Sequence, residues 1–372
     1  MTTASPTTRA EAPVSRPSWL RRHLRGVIGA ALVVASVLWI VASAGFGGNS
    51  LAAVLPVLTM AGVYSIAAAG LNVQYTLGGL MNFGYVGFLA CGSYITVILI
   101  PHRMGEGSVE SGGYAPLWLA MIIAIIVTGA LGALFALPTL RVRGDYFAII
   151  MIAAAELIRV ALREGSEITG GVYGVLGYST VIQDIRPPFI DDLADDLDVT
   201  AYQLWLFVLI WLGVALAVLL TTYLLRSRWA ILARAVRDDE SGVRSLGKNP
   251  AAVKLQSLVI GGGIGGLAGV FFAFQLSQVN PDIFVADITF FVFTVMIIGG
   301  AGTALGPIVG GVVFWVLYTQ AGNLINDLFG SSTAAASARY VLVGVLLTAL
   351  FVFRPQGVLG TRAKALASGG AV

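Results

Sequence analysis

The chain has 372 residues, of which 57% are hydrophobic and 11% charged, against about 45–50% apolar and about 25% charged in an ordinary soluble domain. A mean hydropathy of +0.88 points the same way. Together these values exclude a soluble globular enzyme, a disordered chain and a secreted disulfide scaffold.

In chain order, Gly26–Pro101 carries no charged residue over 76 positions, and Ser111–Leu140, Val199–Leu225, Leu255–Pro281 and Ile288–Asn326 are also charge-free. A helix needs about 20 apolar residues to cross a bilayer at about 1.5 Å each. No segment shows the period-2 alternation of a membrane barrel. The expected fold is all-α, a polytopic bundle of about ten spans at 26–45, 51–71, 80–100, 115–140, 146–163, 202–225, 255–276, 288–300, 303–320 and 337–353. Residues 1–25 are expected to form a basic tail, largely disordered and rich in Thr, Ser, Pro and Ala, with a membrane domain at 26–353 and a C-terminal tail at 354–372. Ala42-Ser43-Ala44 looks like a signal-cleavage site, but the apolar run before it exceeds a usual signal core, so it reads as a retained first helix.

Cytoplasmic loops carry excess Lys and Arg. Arg9, Arg16, Arg21, Arg22 and Arg25 place the N-terminus inside, and Arg141 and Arg143 return inside after four spans. Residues 226–254 hold seven basic residues against Asp238, Asp239 and Glu240, and Arg354, Arg362 and Lys364 place the C-terminus inside too. This arrangement puts 17 of the 22 basic residues in the cytoplasm. It needs an even number of spans, which divides 288–320 in two at Ile298–Thr303. Residues 164–201 hold eight acids and only Arg186, as suits the outside. Their Asp191, Asp192, Asp195, Asp196 and Asp198 form either a docking surface or a solvated face, without the spacing of a calcium loop.

Cys91 is the only cysteine, and His23 and His102 flank different segments, so neither a disulfide framework nor a His or Cys metal site is expected. The sequence pI near 9.0 does not argue for nucleic acid, because the basic residues are placed by topology. Gly242–Asn249 nearly spells a phosphate-cradling loop, but Asn249 replaces the magnesium hydroxyl and Arg237–Ser241 cannot be the required buried strand. Gly261–Gly266 formally spells a dinucleotide fingerprint inside an apolar run with no strand before it. Gly262/Gly266, Gly265/Gly269 and Gly306/Gly310 read instead as small-residue pairs that let helices approach closely.

The polar stretch Ser227–Lys254 is wedged between two spans. Asp238 or Asp239 is placed to cap a short helix, Glu240 suits its N-terminal end, Gly247 suits its end, and Pro250 prevents simple continuation. Val243 and Leu246, three apart, are expected to share one face. Such a helix could insert into a partner's groove; a solvated connecting loop is the alternative.

The order Ala233/Ala235, Arg237, Glu240, Leu246, Gly247, followed by Lys254, resembles the coupling loop of ABC importer permeases, and more narrowly the M-type permeases for high-affinity branched-chain amino acid uptake. Further similarity runs through Gly70–Tyr75, Gly79–Gly84, Leu140–Ile149, Glu156 with Ile158-Arg159, Thr169-Gly170-Gly171, Gly299–Thr303 with Gly306-Pro307, and Arg354–Gly360. It covers about residues 50–360 in order. Tyr85 departs from the small polar residue or His of many relatives.

The resemblance implies a fold similar to the cobalamin and ribose importers, and an assembly with an H-type permease partner, two cytoplasmic ATPases and an external solute-binding protein. ATP and magnesium would be bound by the ATPases, and this chain would bind no cofactor and catalyse no covalent step. It implies that Arg237, Asp238, Glu240, Val243, Leu246 and Gly247 contact the ATPase. Urea and short-chain amide permeases are closely similar, so the resemblance leaves the substrate open.

Among the spans, Asn72, Gln74 and Asn82 lie in a glycine-broken section, with Tyr85 just after it. Unwound backbone at membrane depth is tolerated only where protein or a water-filled cavity surrounds it. These residues either line or gate the pathway, or hydrogen-bond between helices. Glu156 lies eleven residues beyond Asp145, about 16 Å along a helix, and shares a face with Arg159 and Arg163. An ionisable group at such depth is expected to face the protein interior, either in a structural pair with Arg159 or one shared with another helix, or in contact with substrate. An ion-driven secondary transporter would account for the broken helices and Glu156 but not for the Arg237–Gly247 loop. No paired carboxylates or Ser–His arrangement in the spans supports an intramembrane enzyme.

Overall fold

The computed structural model describes residues 50–103, 110–139 and 145–329, with isolated positions beyond them that include 357–359. The expected spans at 26–45 and 337–353 lie, but for isolated positions, outside the described residues. Among the described residues five helical stretches are long and apolar enough to cross a membrane. They are Leu51–Leu77, Leu117–Leu137, Ala201–Arg226, Pro250–Leu276 and Gly306–Ile325, joined by shorter apolar helices at Val86–Leu99 and Ala286–Gly299.

Helix α1 (Ser50–Asn72) runs into a π-helical turn at Val73–Leu77, and the chain then stays irregular until α2 (Val86–Leu99). After strands β1 (Pro101–Arg103) and β2 (Glu110–Gly112) come α3 (Leu117–Thr139) and α4 (Asp145–Glu164). The acidic segment folds into α5 (Ser166–Thr169), β3 (Val175–Leu176), α6 (Thr180–Asp184) and α7 (Phe189–Asp196). Then follow α8 (Ala201–Arg226), α9 (Arg228–Asp238), α10 (Glu240–Ser245), α11 (Pro250–Leu276), β4 (Gln278–Val279), α12 (Ala286–Gly299) and α13 (Gly306–Phe329). The expected division of 288–320 is therefore present.

Helix α11 is the mast of the fold, 89% buried over its most apolar window and packed against α1, α2 and α3. Its glycines make that possible. A Cβ at Gly262 would lie 3.0 Å from the Thr128 carbonyl of α3, and one at Gly266 or Gly269 would overlap Thr128 or the Leu89 backbone. With no solvent to expel from between apolar helices, close backbone approach supplies the packing energy. Gly310 plays the same part where α13 meets Val295 of α12.

The four short strands, in the order β2-β1-β3-β4, form an antiparallel sheet. It gathers the chain after α2, α4 and α11 at one end of the body. Helix α11 starts beside α10, so the pair α9–α10 sits at the opposite end.

Candidate functional site

At the α9–α10 end, the Ser227 hydroxyl accepts from the Ala230 amide and starts α9. Asp239 caps α10 by accepting from the Ser241 and Gly242 amides. Bonds from the Ser241 hydroxyl and then the Gly242 amide hold its carboxyl below the ordinary aspartate range. Helix α10 ends in a Schellman pattern. The Lys248 amide donates to the Val243 carbonyl and the Gly247 amide to the Arg244 carbonyl, with Gly247 at φ +72°. Asn249 then caps α11, with Pro250 in its first turn. The near phosphate-loop sequence 242–249 is thus a helix end and a turn, with no strand before it.

The expected shared face of Val243 and Leu246 is not formed. Val243 is 5% exposed and packs inward, whereas Leu246 is 80% exposed. The reason is that α10 stops at Ser245, so Leu246 has left the helical path. Glu240 pairs with Lys254 across α10 and α11. Lys254, expected in the loop, stands inside α11, because the Asn249–Pro250 cap starts that helix early. Asp238 is exposed, while Arg237 turns back into the body. Its Nη1 donates to the Thr76 carbonyl at 2.8 Å and its Nε to Asp238 at 3.0 Å.

Thr76 belongs to the π-helical turn, and the residues expected at the pathway surround it. Asn72, Gln74, Asn82 and Tyr85 are all fully buried. The Asn72 amide donates to the Thr303 carbonyl at 2.9 Å, and its oxygen accepts from the Gly302 amide at 2.8 Å and the Thr76 hydroxyl at 2.7 Å. Asn82 donates to the Gln74 side-chain oxygen and accepts from the Gly84 amide. The Tyr85 hydroxyl donates to the Gly261 carbonyl at 2.9 Å, and the Val86 amide donates to Thr289. Asn72 and Asn82 bond backbone of the irregular stretches, while Gln74 and Tyr85 tie the first break to Asn82 and to α11 in an apolar body.

The partner of this break is the turn between α12 and α13. Helix α12, at 14 residues, is about 21 Å long and too short to cross a bilayer. Its final carbonyls, on Ile298 and Gly299, accept from the amides of Val358 and Leu359 at 2.7 and 3.1 Å. Residues expected in the C-terminal tail therefore cap a helix end. Gly357, at φ +66°, is required where the chain passes the Ile297 carbonyl.

Glu156 and Arg159 form the expected pair, Nε lying 3.1 and 3.0 Å from the two carboxylate oxygens. Arg159 also bonds Asp282 at 2.8 Å, and Arg163 approaches the same carboxylate at 3.5 Å. The expected inward-facing Glu156 is corrected: its side chain is 54% exposed on the outer face of α4. An i,i+3 pair needs only neighbouring turns of one helix and fixes no direction relative to the core. Asp282, unmarked in the sequence reading, comes from a turn that follows β4. Among the described residues no three His, Cys, Asp or Glu side chains gather as for a metal ion.

Residues 53–351 match the family described as branched-chain amino acid transport system / permease component. The chain is 31% identical over 314 residues to the high-affinity branched-chain amino acid transport system permease protein LivM of Salmonella typhimurium. The similarity covers 82% of this chain and 69% of that protein. The LivM protein of Escherichia coli K12 is 30% identical over the same shares. The LivH permease of Salmonella typhimurium is 24% identical over 82% of this chain and 93% of its own. No solved structure matches the chain.

Proposed function

The chain belongs to the family of branched-chain amino acid transport system permease components, and on that footing we propose that it is the M-type membrane subunit of an ATP-driven importer. Its cargo would be branched-chain or other hydrophobic amino acids, delivered by an external solute-binding protein. It would have about ten spans with both termini cytoplasmic, pair with an H-type permease, and rest on two ATPases that bind ATP and magnesium. The carrying observation is the higher identity to LivM than to LivH proteins.

The geometry favours this reading over an ion-driven carrier through the α9–α10 pair. Leu246 stands out from it, and Asp238 and Gly247 are exposed on the same pair, an apolar tip among polar neighbours in sequence that suits a partner's groove. Arg237, Glu240 and Val243 fasten the pair to the body from behind. The charges of Glu156, Arg159 and Asp282 at the sheet end of α4, with both carboxylates exposed, suit a border with the second permease and a shared watery path better than contact with lipid. Asn72, Gln74, Asn82 and Tyr85 brace the wall beside that path.

The test is uptake of labelled leucine, isoleucine, valine and urea by cells with and without this chain, under ionophore and under ATP depletion. Loss of ATP-dependent, ionophore-resistant leucine uptake on deletion is expected. Loss of urea uptake alone would change the substrate, and ionophore-sensitive uptake would overturn the ATP-driven reading.

A further inference from the structure

Apart from Arg234, which reaches back to the Leu225 carbonyl in the adjoining last turn of α8, three polar links tie the α9–α10 pair to more distant parts of the membrane body. Trp229 Nε1 donates to Gln256 Oε1 at 2.7 Å, and Glu240 pairs with Lys254. Both of these links end on α11, the buried mast. The third does not. Arg237 crosses to the π-helical turn after α1 and bonds the Thr76 carbonyl.

That carbonyl lies in the last turn of a helix and lacks a helical amide partner, so a guanidinium is a natural cap for it. The fit is close along the whole side chain. Arg237 is only 19% exposed, and its stem passes over Gly79, where a Cβ would lie 2.6 Å from Cγ. Gly79 itself stands at φ +65°. From Thr76 the network continues without a gap. The Thr76 hydroxyl donates to Asn72, and Asn72 holds the Gly302-Thr303 turn between α12 and α13.

We infer that Arg237 is a positioning residue that carries movement of the α9–α10 pair inward to the two helix breaks, at Val73–Leu80 and Gly300–Leu305. The inference rests on the transporter reading above and gives Arg237 a different task from Leu246. Two links to α11 act as pivots, and the third displaces the π-helical turn when the pair tilts. π-Helical turns recur at functional sites.

The experiment uses the assembled transporter in proteoliposomes, reading amino acid imported per ATP hydrolysed. Arg237→Met keeps the stem and removes the donors, and the ratio is expected to fall about tenfold or more, as for loss of a charge-assisted hydrogen bond. Arg237→Lys retains a donor for the Thr76 carbonyl and is expected to recover most of the ratio. A merely structural defect lowers import and hydrolysis by one factor, so an unchanged ratio in Arg237→Met overturns the inference.

Hydrogen exchange on the purified full chain supplies a readout that needs neither ATP nor solute. In Arg237→Met the Gly78 and Leu80 amides should exchange faster while those of Leu267–Phe274 hold. Unaltered exchange at Gly78 and Leu80 also overturns the inference. A wild-type assembly that imports no branched-chain amino acid would instead sink the functional reading, leaving the exchange result to judge Arg237.

Discussion

Arg159 Nη1 lies 2.8 Å from Asp282 Oδ1 and joins α4 to the turn between β4 and α12, 123 residues further along the chain. The same guanidinium chelates Glu156 one turn earlier. One cation thus stands between two carboxylates at the end of the body that carries the sheet. The partners are partly open, so each pair alone contributes little, about 1 kcal/mol or less. Removing the shared cation is worse than removing either anion, because it leaves Glu156 without its partner and Asp282 with only the longer contact to Arg163. Arg159→Gln is expected to lower the thermal midpoint in detergent more than Asp282→Asn. A double-mutant cycle should show coupling between the two positions, and additive effects would disprove it.

The Asn72 side chain is committed on both atoms. Asn72→Leu would remove the donor to the Thr303 carbonyl and the acceptor shared by the Gly302 amide and the Thr76 hydroxyl, all in an apolar interior. Loss of a buried hydrogen-bond partner costs about 1–3 kcal/mol, so a drop in unfolding stability of that order is expected. Asn72→Asp keeps the acceptor for Gly302 and Thr76 but loses the donor to Thr303, and should fall between. Thermal unfolding of the three proteins in one detergent gives the order, and a Leu variant as stable as wild type would remove the bracing role.

The glycines of α11 differ in what surrounds them, which makes a contrast within one helix. A Cβ at Gly269 would overlap the Leu89 backbone, whereas one at Gly263 meets only Ile125, its carbonyl at 3.4 Å and its Cγ2 at 3.5 Å, both ordinary contacts. Gly269→Ala is therefore expected to destabilise by about 1–3 kcal/mol through overpacking. Gly263→Ala should be neutral or stabilising through higher helix propensity. Equal unfolding midpoints for the two variants would show that α11 can shift to admit a methyl.

What could be read before the structure was local, and what could not was tertiary. The Asp239 cap and the Gly247 stop are signalled within four residues of where they act, whereas Pro250 reads in the sequence only as a break and in fact restarts a helix under the Asn249 cap. The separation of α12 from α13 follows from a glycine run and from the parity of cytoplasmic charge. Leu246 escaped because a three-residue spacing predicts a shared face only while the helix lasts, and α10 ends one residue earlier. Asp282 and Thr76 had no signal of their own. Their importance comes from Arg159 and Arg237, which reach them across more than a hundred residues, and no spacing rule spans that distance. The burial of Asn72, Gln74, Asn82 and Tyr85 has the same origin: a polar residue near a glycine break reads alike whether it faces water or another backbone.

Asp239 sets the last expectation, on pH. Its carboxyl is held below the usual aspartate range by the Ser241 hydroxyl and the Gly242 amide, so the folded protein favours the charged form more than the unfolded chain does. A group with a depressed folded pKa contributes stability that is complete above its unfolded pKa and is lost as pH falls through the folded value. The α10 cap should thus persist at neutral and mildly acidic pH and weaken only below the range where free aspartate titrates. Amide exchange at Ser241 and Gly242, corrected for intrinsic rates, reads this directly. Protection should be steady down to that range in the wild type. In Asp239→Ala it should be absent at every pH, and in Asp239→Asn it should be retained without pH dependence, since the amide oxygen still accepts. Protection that falls in step with an ordinary carboxylate would mean that the Ser241 and Gly242 bonds do not favour the charged form.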